Sequence, residues 1–232
     1  MPKLRIKYTR DGLLSYLSHL DMVRLWQRAF VRANIPIEMS QGHSPRPKLS
    51  FGPPLAVGYT SAAEYLDATV KDAVSTRDVV ARLNEVLPED IRVVHARRMM
   101  PREAAVSASI NAITYQVKVP AELIGGAGEG GCACELVDEF RATDELVIER
   151  VRKGRIQRID LRVAVRDIAV DFHANLATVT IVIELGRGPY PKPEEVLRAV
   201  FRLGAPSLSE VDIHRADVGF RTGGRHPRPT EV

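Results

Sequence analysis

The sequence predicts an α+β protein of two tandem ferredoxin-like halves, each ordered β-α-β-β-α-β with an antiparallel sheet. Three observations predict it. The chain has 232 residues, 45% hydrophobic and 27% charged, an ordinary globular composition and long enough for one or two domains with a sizeable core. Runs that alternate apolar and polar residues are interleaved with runs of three- and four-residue apolar spacing, the strand and helix periods. The same element order then occurs twice, with no repeat at the level of residues.

In the first half, Leu4, Ile6 and Tyr8 alternate with Arg5 and Lys7, a strand over residues 3–10 punctuated by Gly12. Ser18 is a helix N-cap, with Asp21 three residues on as its acidic capping-box partner. Met22, Trp26, Ala29, Phe30 and Ala33 then form one apolar stripe, and Asn34 and Pro36 end the helix. Residues 37–40 make a short strand candidate. A long irregular stretch, Gln41 to Gly58, follows. Residues 62–70 are a strand, Thr76 to Leu87 a helix and Ile91 to Ala96 a strand.

The second half repeats the order. Ile113 to Val119 is a strand and Cys134 to Val151 a helix. Arg158 to Phe172, long and bent, and Thr178 to Leu185 are strands. Pro193 opens a helix in its first turn, helped by Glu194 and Glu195 at the positive end, and the helix runs to Arg202. Val211 to Phe220 is the last strand. This gives a basic N-terminal half at 1–100, a linker at 101–110, a C-terminal half at 111–220 and a disordered basic tail at 221–232.

Several classes are excluded. No apolar run reaches the roughly 20 residues of a membrane span, so no membrane partner is expected. The N-terminus alternates charge and apolar residues and lacks a signal-peptide core. The two cysteines, Cys132 and Cys134, are too close for an easy mutual bridge and point to a reduced, cytoplasmic protein. They have no histidine or second cysteine pair at zinc spacing, and the chain has no cluster of cysteines for iron–sulfur chemistry. No nucleotide fingerprint or nucleophile elbow occurs. No cofactor and no metal are therefore expected.

The net charge is +4, but it is unevenly placed. Residues 1–50 hold nine Lys/Arg against three acids, whereas the remainder holds 24 against 26. Such a block attracts a polyanion such as RNA, or is a solvated basic face. Arg24, Arg28 and Arg32 repeat every four residues along the helix face opposite Trp26 and Phe30, a row of guanidinium groups suited to phosphate oxygens. In the stretch 40–54, Gln41, His43, Ser44, Arg46, Lys48 and Ser50 supply polar groups, and Phe51 suits stacking on an unpaired base. The alternative is a rigid proline-rich loop with Phe51 in the core. His19 and His43 are the candidates for acid–base catalysis, because imidazole moves protons near neutral pH.

Tyr16-Leu17-Ser18-His19-Leu20-Asp21 with Arg24, and the run Arg28-Ala29-Phe30-Val31-Arg32-Ala33, resemble the bacterial family DUF2344. So do Ser40-Gln41-Gly42-His43-Ser44-Pro45-Arg46-Pro47, Leu49-Ser50-Phe51, Pro54-Leu55-Ala56-Val57-Gly58 and Glu64-Tyr65-Leu66-Asp67. Ile113-Thr114-Tyr115 and Pro191-Lys192-Pro193-Glu194-Glu195-Val196 continue the match. His43 stands where an aromatic often follows the glycine. Members of the family are called radical SAM-linked or radical SAM-associated proteins, so the resemblance implies a radical SAM protein as partner. It carries no settled reaction. The expected function is a non-catalytic RNA-binding or substrate-presenting accessory protein working with a radical SAM enzyme. Arg24, Arg28, Arg32, Arg46 and Lys48 would hold phosphates, and Gln41, His43 and Phe51 a base or partner. The alternatives are a metal-independent endoribonuclease using His19 or His43, and a pure protein-interaction module for the radical SAM partner.

Overall fold

The computed structural model describes residues 1–41, 43–71, 74–125, 133–186, 188–204 and 210–220. The chain is a mixed α+β protein whose paired strands run antiparallel wherever their register is defined. It divides into two compact units, Met1–Ile110 and Asn111–Val232. Among the described residues no helix is long and apolar enough to cross a membrane.

In the N-terminal unit, β1 (Lys3–Arg10) lies between β4 (Val93–Arg98) and β3 (Thr60–Thr69), and β2 (Leu49–Phe51) pairs with the other edge of β3. The alternation in β1 sends Leu4, Ile6 and Tyr8 to one face. There they meet Met22, Trp26 and Phe30 of α1 (His19–Arg32) and Val79 and Leu83 of α2 (Thr76–Val86) in one core. Trp26 is fully buried, with its ring centroid 4.7 Å from Tyr8. Ser18 caps α1 by accepting the Asp21 N–H at 3.2 Å, and Ser75 caps α2 in the same way through Asp78. Between β1 and α1, a 3-10 turn (Gly12–Tyr16) begins at Gly12 with φ +52. A Cβ there would sit 2.4 Å from the Asp90 carboxylate, which itself accepts the Leu14 N–H.

The opposite face of this sheet is ionic. Arg5 and Asp67 are directly opposed on β1 and β3, both buried, and joined through two bonds of 2.8 and 3.0 Å. Asp67 also accepts the Val106 N–H at 2.7 Å, and Arg5 reaches the Ala104 carbonyl at 2.8 Å. Residues 101–110, expected as a linker, are thus tied to this unit, and their one-turn helix α3 (Val106–Ser109) lies within it. Glu103 accepts from Arg5, from Arg97 and from the Met100 N–H. These bonds, Arg97 first, hold its carboxyl down at about 2. A carboxyl whose folded pKa is depressed contributes stability above its ordinary value and loses it as pH falls toward the folded one. Acid unfolding is therefore expected to begin below about pH 4.5 and deepen toward pH 2. Glu103→Gln should flatten that part of the stability profile, read from urea midpoints at stepped pH.

In the C-terminal unit the strand order is β10 (Asp212–Phe220), β5 (Ile110–Pro120), β9 (Leu176–Glu184) and β8 (Val165–His173). Ile113, Val117, Ile168, Val179, Ile181 and Ile183 are buried along with Val137 and Phe140 of α4 (Ala133–Ala142) and Val196, Leu197 and Val200 of α6 (Pro193–Val200). The helix expected over Cys134–Val151 ends at Ala142. The chain then forms β6 (Val147–Arg152), which pairs with β7 (Arg155–Asp160) in a separate two-stranded ribbon. The long strand expected over 158–172 is broken by a one-turn helix, α5 (Leu161–Ala164), because Asp160 turns its carboxylate onto the Arg162 N–H as an N-cap. Cys134 is exposed on α4, whereas Cys132 and the expected tail at 221–232 lie outside the described residues.

Candidate nucleic-acid interface

The surface around the start of α1 gathers the residues that the sequence separates. His19 is the first helical residue, fixed by the Ser18 cap, and it is exposed. Its ring meets Phe51 of β2 edge-on, with centroids 5.6 Å apart and planes at 87°. Phe51 is half-buried and packs against the core, so the pair places His19 outermost. Pairing of Phe51 with Leu66 fixes β2 in register on β3 and anchors the far end of the 41–54 stretch.

The near end is closed by Ser40. Its N–H donates to the Arg46 carbonyl at 2.7 Å and its hydroxyl accepts the Arg46 N–H at 3.0 Å. Ser40 is therefore tied to Arg46, and the Gln41, His43 and Arg46 side chains are exposed. No strand forms at 37–40. Instead Ile37 and Met39 make single bridges to Val70 and Pro47.

The expected phosphate-binding residues divide into two groups. Arg24, Arg28 and Arg32 all face outward from α1. Arg24 bonds Asp21 at 3.1 Å, and the Ser18 hydrogen bond, with Arg24 and Arg28 adding to it, lowers the Asp21 pKa and keeps it ionised. Arg32 donates to the Val86 carbonyl at the C-terminus of α2, and Lys48 pairs with Glu38. Among the described residues, the side chains of Arg28 and Arg46 have no hydrogen-bond or ion-pair partner. The basic block is also less superficial than its charge count suggests. Arg5 and Arg10 are each 3% exposed, and Arg10 spends its donors on the carbonyls of Leu14, Ser15 and Leu17.

His19 and His43 are not brought into contact: no hydrogen bond or ring contact joins them among the described residues. What sequence reading missed is the apolar margin. Tyr16, Leu20 and Val57 are 68%, 67% and 58% exposed. The Gly58 N–H donates to the Ser15 carbonyl at 2.9 Å, which lays the 55–59 segment beside Tyr16. The signal was available, since Tyr16 and Leu20 fall outside the buried stripe of α1.

The fold and this surface define an α+β protein with a polar and aromatic face on its N-terminal unit. The chain belongs to the DUF2344 family, described as an uncharacterized protein conserved in bacteria, which it matches over residues 3–193. Comparison with curated proteins finds no match. Among solved structures it is similar to the crystal structure of an unknown protein from Galdieria sulphuraria, at 12% identity and a TM-score of 0.25, over 95% of this chain and 99% of that one.

Proposed function

We propose that this protein is a non-catalytic RNA-binding or substrate-presenting accessory protein that works with a radical SAM enzyme in the cytoplasm. The observation that carries the reading is the His19–Phe51 contact, which joins the start of α1 to the 41–54 stretch at one surface. Exposed rings at Tyr16 and His19 suit unpaired bases, which stack on any π-face. Exposed Arg28 and Arg46 suit backbone phosphates, and exposed Gln41 and His43, on the same loop as Arg46, supply hydrogen-bonding groups. The partnership rests on the family resemblance alone. The order β4-β1-β3-β2 in the N-terminal unit and β10-β5-β9-β8 in the C-terminal unit supports reading both as ferredoxin-like, the second carrying the β6–β7 ribbon as an insertion.

The test is fluorescence anisotropy with a labelled single-stranded RNA across a salt series. Arg28 and Arg46 are exposed and have no hydrogen-bond or ion-pair partner among the described residues, so R28E/R46E should leave the fold intact. The double variant is expected to bind roughly tenfold or more weakly, with a salt slope shallower by about 1.4 for two lost phosphate contacts. Unchanged affinity and slope would overturn this surface as the RNA interface.

A further inference from the structure

The β6–β7 ribbon stands outside the main sheet, and its outermost rung breaks an ordinary rule of strand pairing. Arg152 lies directly across from Arg155, the next rung is Val151 with Ile156, and the third is Arg150 with Gln157. Like charges directly opposed on a strand pair are destabilising. Lys153 and Gly154 form the two-residue turn, both at positive φ, 50° and 73°, as a tight hairpin of this hand requires. A Cβ on Gly154 would meet nothing within 4 Å, so the tip stands in open space.

The root of the ribbon is anchored. Ile159 is buried, the Leu146 N–H donates to Asp160, and Arg150 bonds Glu195 of α6 at 2.7 Å and the Tyr190 carbonyl at 3.0 Å. Glu195 in turn accepts the Lys192 N–H at the start of α6. Side chains alternate between the two faces of a strand. One face of the tip therefore carries Arg152, Arg155 and Gln157, and with Lys153 these line a concavity of about 440 Å³. Arg152, Lys153 and Arg155 have no acid or carbonyl partner among the described residues. The Gln157 carbonyl oxygen is buried and accepts no hydrogen bond among the described residues. The other face exposes Val151 and Ile156.

We infer that the β6–β7 ribbon is a separate RNA-binding arm. Arg152, Lys153 and Arg155 hold backbone phosphates on one face, and Val151 and Ile156 pack against an unstacked base or sugar on the other. A bound phosphodiester relieves the Arg152–Arg155 opposition. Cations for phosphates combined with small exposed apolar side chains are what nucleic-acid arms use. This arm rests on the RNA-binding reading above but uses different residues on the other unit.

The test uses the full chain and a labelled single-stranded RNA of about 20 nucleotides, long enough to fill a typical single-strand site. The ribbon variant is R152Q/K153N/R155Q. Asn tolerates the left-handed conformation at position 153 and makes an Asn-Gly turn, so the hairpin is preserved or strengthened, and an unchanged melting temperature verifies it. Removing three phosphate contacts should weaken binding roughly tenfold or more near 0.1 M salt and make the salt slope shallower by about 2. A fall in the ribbon variant, with R28E/R46E unaffected, supports the arm and removes the N-terminal surface. Unchanged binding by the ribbon variant, with R28E/R46E weakened, overturns the arm and leaves the N-terminal reading standing. Binding of the wild-type chain to phosphatidylglycerol vesicles and not to RNA overturns both.

Discussion

Replacing Asp67 by Ala is expected to destabilise the N-terminal unit by about 3–5 kcal/mol, the usual cost of leaving one member of a buried ion pair alone. The effect is large because Asp67 satisfies two separate groups. Its carboxylate accepts two bonds from Arg5, which is 3% exposed, and one from the Val106 N–H. Without it, the Arg5 guanidinium keeps Glu103 and the Ala104 carbonyl, but the backbone donor at Val106 has no acceptor. Residues 103–109 should then loosen from the sheet. Single domains are commonly stable by about 5–15 kcal/mol, so D67A takes a large share of the total. Urea denaturation measures the loss, and hydrogen exchange should show protection falling first at Val106. A change under about 1 kcal/mol would mean that the pair only breaks even against its desolvation, which buried ion pairs sometimes do.

Trp26→Ala is expected to cost about 3–5 kcal/mol, as large aromatic truncations in cores do. Trp26 is fully buried between Tyr8 on β1 and Phe30 one turn along α1. Its removal opens a cavity where the helix meets the sheet. It also frees the helix that presents His19 and Arg28. Trp26→Phe separates the two consequences. The indole N–H has no hydrogen-bond partner among the described residues, so Phe loses volume but no polar contact, and its cost should be clearly below that of Ala. Thermal unfolding of both variants checks the order. Equal losses would mean the N–H finds a partner that the geometry does not show.

The sequence was most legible where one local force decides. The Ser18 cap, the α1 stripe and the alternation in β1 follow from hydrogen bonding and period alone, and each is where the spacing predicts. It was least legible where distant residues decide. Leu49–Phe51 sits in a proline-rich stretch and becomes a strand only because β3 offers an edge to pair with. Helical spacing over 134–151 concealed β6, since Arg150, Val151 and Arg152 become a strand through pairing with Arg155, Ile156 and Gln157. The Lys153-Gly154 turn was the available cue.

Charge was legible as a count and not as a location. Nothing local distinguishes Arg5, which faces Asp67 in the interior, from Arg28, which faces water. The same limit applies to the site. His19 and Phe51 are 32 positions apart, and only the packing of β2 on β3 brings them together.

RNA should be held through the α1–β2 surface and the β6–β7 ribbon. Ultraviolet crosslinking in the native cells, followed by purification of the protein and mapping of RNA-bearing peptides by mass spectrometry, tests it most directly. Adducts are expected on the peptides carrying Tyr16 and His19, residues 41–54, and the ribbon at 150–158. A radical SAM protein should be recovered with the chain after ribonuclease treatment. Purified protein with no crosslinked RNA, or with adducts confined to other peptides, would contradict the account.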